Sequence, residues 1–250
     1  MRFSSTAIAV VLLAGCGKPS APAAKPLRIL CGASMAGPVQ EIGKTFAAER
    51  GVEVLYDLGG SETLLPKVLA GGEADVYVCH DPFEEKVRAG NRLAGSVVLG
   101  YLEPVLAVRP GNPKNIRTLA DLATPDVSLG IGDPRYSTCG EMFVAMLEQK
   151  GLKERIMARV TVQMRTHTEL ANGLIAGPLD AAVIWNFAAI LYKDKLQVVD
   201  VDLGCKPVRV TVLGLTQSGS PALRDGFLEF CRSDKVQAIF QSYGYTMRRK

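Results

Sequence analysis

The chain is 250 residues long, and its 29 Lys and Arg against 25 Asp and Glu leave a formal charge of +4. A surplus that small, with the basic residues scattered, excludes the charge pattern of a nucleic-acid binder. With 48% hydrophobic and 22% charged residues the chain is rich enough in apolar side chains for one large packed domain or two of ordinary size.

The first element is a targeting segment. Arg2 gives a positive start and Ala7 to Leu13 an apolar run closed by small residues. That run falls short of the roughly 20 apolar residues that span a bilayer, and no apolar run long enough to do so follows it. It ends in Leu13-Ala14-Gly15-Cys16, which resembles the lipobox of bacterial lipoproteins. The resemblance implies a signal peptide over 1–15, cleavage before Cys16 and a lipid on its sulfur, so that the protein is exported and sits in the periplasm or at the cell surface, anchored to a bacterial membrane. The alternative is an ordinary thiol beside a plain signal cleavage site. The segment GKPSAPAAKP has nothing to bury and reads as an extended tether running from Cys16 to residue 26.

From residue 27 short β-branched runs alternate with longer amphipathic ones, the pattern of βα units on parallel sheets. Strand LRILC (27–31) leads through GAS into a helix in which Val39, Ile42 and Phe46 recur at helical spacing, stopped by Gly51. Strand 52–57, helix 62–70, strand 75–79 and helix 82–89 complete a first half. A strand-rich stretch ending in PGNP follows. The pattern restarts with strand VSLGI (127–131), helix EMFVAMLEQKG, strand RVTVQ (159–163), helix TELANGLIAG and strand AAVIWN (181–186). Strand 208–216 and two helices close the chain.

Ligands of open parallel sheets sit beyond the carboxyl ends of the strands, where loops enter helices. Ser34 and Ser61 are placed there as N-caps, and Thr138-Cys139-Gly140-Glu141 and Thr166-His167-Thr168-Glu169 both fit the S/T-x-x-E capping box. Four hydroxyl-bearing helix starts at one end of two sheets favour an anion, because the first N–H groups of a helix lack partners and lie at its positive end. Taken singly, each hydroxyl also reads as an ordinary cap. Pro66 lies inside the helix that Ser61 opens and is expected to bend it.

CGASMAGPVQEIGKTFAAERGVEVLYDLGGSETL with GGEADVYVCHDP, and GDPRYSTCGEMFVAMLEQKGL with SDKVQAIFQSYGY, resemble the opening, middle and closing signatures of periplasmic molybdate- and tungstate-binding proteins of ABC transporters. The resemblance covers nearly all of 27–246. It implies an α/β two-lobed periplasmic-binding-protein fold, each lobe a mainly parallel sheet flanked by helices with a cleft between them. Lobe 1 would hold 27–105 plus 206–250 and lobe 2 would hold 106–205. Crossing strands near Pro104 to Pro110 and Asp200 to Val208 would act as the hinge. It further implies a substrate-binding lipoprotein, not an enzyme, without a cofactor. The monomer captures a tetrahedral oxyanion and hands it to a permease with its ATPase, touching the membrane only through the lipid. Ser34 and Ser61 would donate from lobe 1. Cys139 and His167 would give main-chain amides from lobe 2, and Trp185 stands where the family places a Tyr, so that it reads equally as a ligand contact and as a packed aromatic. Sulfate and small organic acids are alternatives within the same architecture.

Besides Cys16 there are five cysteines, in no recognised metal spacing. In the family's fold Cys31 and Cys79 end neighbouring strands, with Cys139 and the histidines His80 and His167 nearby. This leaves three readings: a site for a soft cation or a thiophilic oxyanion through Cys31, Cys79, Cys139 and His80, a Cys31–Cys79 disulfide, or small apolar residues at buried strand ends. A thiol redox protein is a further alternative, weakened because Cys79 and His80 face opposite ways on a continuing strand. Asp81 and Asp133, each before a Pro, are expected to shape turns, and Cys205 and Cys231 to pack.

Overall fold

The structure, a computed structural model, describes residues 25–247. The signal peptide, the lipobox with Cys16 and most of the tether lie outside the described residues. Among these residues no helix is long and apolar enough to cross a membrane.

The first sheet is built from β1 (Leu27–Gly32), β2 (Val54–Gly59), β3 (Val76–His80), β4 (Leu93–Leu102) and β10 (Val208–Leu215). Helices α1 (Ala36–Arg50), α2 (Ser61–Leu69) and α3 (Phe83–Ala89) connect the early strands, and α1 ends at Gly51, whose φ of 63° is a left-handed stop. The second sheet holds β5 (Pro104–Val108), β6 (Leu129–Gly132), β7 (Val160–Met164), β8 (Ala181–Trp185) and β9 (Gln197–Val199). Its main connecting helices are α4 (Thr138–Gln149) and α6 (His167–Ala176); the short α5 (Lys153–Met157) and α7 (Asn186–Leu191) are elements the sequence pattern does not announce. Helices α8 (Pro221–Cys231) and α9 (Asp234–Ser242) close the chain.

The strand orders are β2-β1-β3-β10-β4 and β7-β6-β8-β5-β9. Each sheet is mixed: β1 pairs in parallel with β2 and β3, and β6 with β7 and β8, while β10 and β5 run antiparallel to both of their neighbours. The two reversed strands are the ones that follow a crossing of the chain from the other sheet. One crossing is the single residue Glu103 between β4 and β5, and the other is the stretch between β9 and β10. Glu103 is held by Asn186, whose side chain accepts from its N–H at 3.1 Å, and by the Thr246 hydroxyl, which donates to its carboxylate at 2.7 Å.

Buried side chains form three clusters. One covers a face of each sheet and is continuous between them, and the other two fill the far faces. This division settles the cysteines. Cys31 pairs with Val78 in the β1–β3 register, so the two share a face, and Cys79, one residue on, points to the opposite one. Cys31 and Cys139 accordingly lie in the continuous cluster and Cys79 in another. The disulfide is therefore ruled out by the register, and all five cysteines are free. The soft-metal reading through Cys31, Cys79, Cys139 and His80 fails for the same reason, and among the described residues no group of three or more His, Cys, Asp or Glu is placed to hold a metal ion. Burial pushes the thiols of Cys31, Cys79, Cys139 and Cys231 well above their ordinary range, and half-buried Cys205 up to about 11. In a chain starting at residue 17, Ellman's reagent is expected to modify Cys205 alone, and slowly, until the protein is unfolded; rapid labelling of Cys31 or Cys79 in the native state would contradict this packing.

Candidate functional site

A cleft of about 650 Å³ opens where the carboxyl ends of the two sheets face each other. Sheet 1 lines it with Ser34, Ser61, Glu62 and His80, and sheet 2 with Ser137, Thr138, Thr166, His167 and Trp185. All four hydroxyl-bearing helix starts read from the sequence thus reach one gap, though their local geometry differs from the expectation in instructive ways.

Ser61 is not a cap. Gly60 occupies the N-cap position of α2 without a side-chain bond, Ser61 is the first helical residue, and Pro66 sits inside the helix without ending it. The Ser61 hydroxyl oxygen is sealed from solvent and has no hydrogen-bond partner, while its carbonyl accepts from the Tyr77 hydroxyl at 2.7 Å. The residue is only 3% exposed. A hydroxyl in that state carries an unmet desolvation cost, normally avoided in a protein interior. Gly32 explains how it is held so closely: a Cβ there would lie 2.6 Å from the Ser61 oxygen.

Ser34 lies in a single 3-10 turn (Ala33–Met35) ahead of α1, and its side chain caps nothing. Its carbonyl accepts from the Tyr245 hydroxyl, and the Tyr245 ring stacks on Phe187 with centroids 6.0 Å apart. Tyr245 therefore ties the Ser34 turn to α7, the helix that follows β8 of the second sheet. Sequence reasoning did not single out Tyr245 or Phe187; the signal available was an aromatic in the closing SYGY and another two residues past Trp185.

In the second half the cap of α4 is Ser137, whose oxygen accepts from the Gly140 N–H at 3.4 Å, so the expected Thr138–Glu141 box does not form and a single cap one residue earlier takes its place. The shift turns Ser137 and Thr138 to the cleft and sends the Cys139 side chain into the core, where it is fully buried. The Thr166–Glu169 capping box is present as expected, with bonds of 3.2 and 3.1 Å. It sets His167 at the first turn of α6. Trp185 ends β8 directly opposite Pro104 at the start of the crossing strand. Its ring lies 5.7 Å from that of His167 and 6.5 Å from that of His80.

Both histidines are buried, at 8% and 7% exposure. Burial holds His80 below the usual imidazole range, and burial together with nearby His80 pushes His167 down to about 3. The charged lining side chains, Glu62 and Arg165, stand exposed at the mouth; the Arg165 guanidinium lies 4.0 Å above the ring of Tyr136. Asp81 and Asp133 are engaged elsewhere, in bidentate pairs with Arg209 and Arg135. The depth of the cleft is thus neutral and rich in hydrogen-bond donors, an arrangement that replaces the water shell of a small anion without a formal positive charge.

Two five-stranded sheets sharing one strand order, joined by crossing strands and facing each other over such a cleft, have the architecture of periplasmic binding proteins. Residues 27–246 match the bacterial extracellular solute-binding protein family, and the chain belongs to it. Members of this family bind solutes and are not enzymes. The molybdate-binding protein ModA of Mycobacterium tuberculosis is 25% identical over 259 residues, spanning 97% of either chain. Among solved structures, the periplasmic molybdate-binding protein of Azotobacter vinelandii aligns at a TM-score of 0.73 with 16% identity, covering 89% of this chain and 100% of its own. The periplasmic binding protein AfuA of Actinobacillus pleuropneumoniae, solved with fructose-6-phosphate, reaches 0.75 with 16% identity, covering 90% and 85%. At those identities the two structures speak for the fold alone.

Proposed function

We propose that this protein is the capture component of an ABC importer for a tetrahedral oxyanion, with molybdate or tungstate as the ligand. The observation that carries the reading is the Ser61 hydroxyl, buried against the cleft with no partner of its own. Such a group is stabilised when an anionic oxygen arrives to accept its hydrogen bond. Ser34, Ser61 and the first-turn amides near Thr138 and His167 are the donors, and Trp185 closes the floor. The lobes follow the expected 27–105 with 206–250 and 106–205, with the first boundary drawn back to Glu103 because β5 pairs in the second sheet from Pro104, and they rotate about Glu103 and the 200–207 stretch as the ligand is enclosed. The closed form is what a permease with its ATPase recognises. A lipid on Cys16 and the following tether keep the protein at the membrane outside the cell. Similarity to ModA supports the choice of ligand, and the sulfate and organic-acid alternatives of the same architecture are the competing arms of the test.

The test is a thermal-shift series on residues 17–250 with molybdate, tungstate, sulfate, phosphate and a small organic acid. Molybdate and tungstate at a hundredfold excess over Kd are expected to add about 3 kcal/mol of stability, and Ser34→Ala with Ser61→Ala to remove the shift. A larger response to sulfate or the organic acid would reassign the ligand, and a molybdate shift surviving the double change would overturn the residue assignment.

A further inference from the structure

The histidines are the only two in the chain, and they enter the cleft from opposite sheets on either side of Trp185. Their hydrogen bonds set different tautomers. His80 Nδ1 lies 2.7 Å from the Asp81 carbonyl oxygen, which can only accept, so the proton of the neutral ring is on Nδ1 and Nε2 is a bare lone pair. His167 Nδ1 accepts the Trp185 main-chain N–H at 3.4 Å, so its proton is on Nε2. Both rings line the cleft, and neither Nε2 has a hydrogen-bond partner among the described residues. One imidazole therefore offers a donor and the other an acceptor. An oxyanion carries only acceptors, and its oxygen cannot rest against the His80 lone pair unless a proton stands between them.

We propose that His80 Nε2 is a ligand contact and that the occupied site holds one proton between this nitrogen and a ligand oxygen, so that capture of a molybdate dianion takes up a proton from solution. The inference rests on the oxyanion reading of the cleft. Protonation leaves the His80 bond to the Asp81 carbonyl intact and adds a charge-assisted bond to the ligand. The same step at His167 would set two N–H groups against each other, so His167 remains neutral. The charges around His80 are Glu62 from α2 and Asp81, which favour its protonation, with Asp81 already occupied by Arg209 of β10 at 2.9 Å. Glu84 of α3 is taken by Arg88 at 2.8 Å; from the other half Arg165 is the one cation among the described residues that line the cleft, and His167 is neutral and adds no charge. Burial outweighs the carboxylates in the empty site and keeps the ring neutral; the incoming dianion reverses that balance.

Calorimetric titration of residues 17–250 with micromolar molybdate, in buffers of unlike ionisation enthalpy, counts the protons directly. Molybdate stays a dianion from about pH 8 to about pH 6, and over that interval the wild type is expected to take up close to one proton and to tighten by about a hundredfold. In His80→Gln the side chain cannot titrate, and uptake and pH dependence should vanish together, whereas His167→Gln, whatever affinity it loses, keeps the proton uptake. Should His80→Gln fail to fold, nitrogen NMR of the wild type still decides, since one of only two histidines must become an imidazolium on molybdate addition. Binding that is flat with pH, or uptake that persists in His80→Gln, overturns the proton step and leaves the oxyanion reading standing. Absence of molybdate binding at every pH, by both calorimetry and thermal shift, refutes the molybdate reading and this inference with it.

Discussion

Ser61→Ala is expected to make the empty protein more stable and the loaded one weaker in affinity, two effects of opposite sign from one oxygen atom. In the free protein the hydroxyl is buried with no partner, a state that costs about 1–3 kcal/mol relative to a satisfied group, and the change deletes it while leaving almost no void. In the complex the same hydroxyl donates to a charged oxygen, a bond worth about 1.5–3 kcal/mol, so Kd should rise by roughly ten- to a hundredfold. Thermal or urea unfolding without ligand and titration with molybdate read the two halves separately. An ordinary helix cap would give the reverse in the first measurement, a loss of about 1 kcal/mol.

The other large effect concerns Gly140→Ala. A Cβ at this position would lie 1.9 Å from the Gly132 carbonyl oxygen and 2.6 Å from its carbon, both backbone atoms of β6 that no rotamer change can move aside. The helix start must shift away from the strand, at about 3 kcal/mol for an overpacked site, and it takes the Ser137 cap with it, because that hydroxyl is bonded to the Gly140 N–H. A fall in the unfolding midpoint together with weakened molybdate binding is the expected result. Loss of stability with unchanged affinity would mean that the first turn of α4 does not serve the ligand.

The two substitutions act on features of different legibility. Hydroxyls at four helix starts are visible in the sequence because caps and periodic apolar runs are local signals, and so is the rule that strand ends collect ligands. Whether a given hydroxyl caps its own helix is decided by a turn of one residue. It went one way at Thr166, where the box closes, and another at Thr138 and Ser61, which sit inside their helices and cap nothing. Cys139 illustrates the consequence, since moving the cap to Ser137 takes its thiol out of the cleft and into the core.

What the sequence determines by itself is the alternation of strands and helices from residue 27 onward, the placing of donors at one end of both sheets, and the signatures that resemble oxyanion binders. Those properties depend on neighbours a few positions apart, and periodicity records them. Only the tertiary structure decided that Cys31 and Cys79 lie on opposite faces, that β5 and β10 run against their neighbours, and that two histidines face one gap as unlike tautomers. Each depends on register or contact between segments far apart in the chain. A single-residue slip in a strand exchanges its faces, and a tautomer is chosen by whichever group the fold brings to the ring.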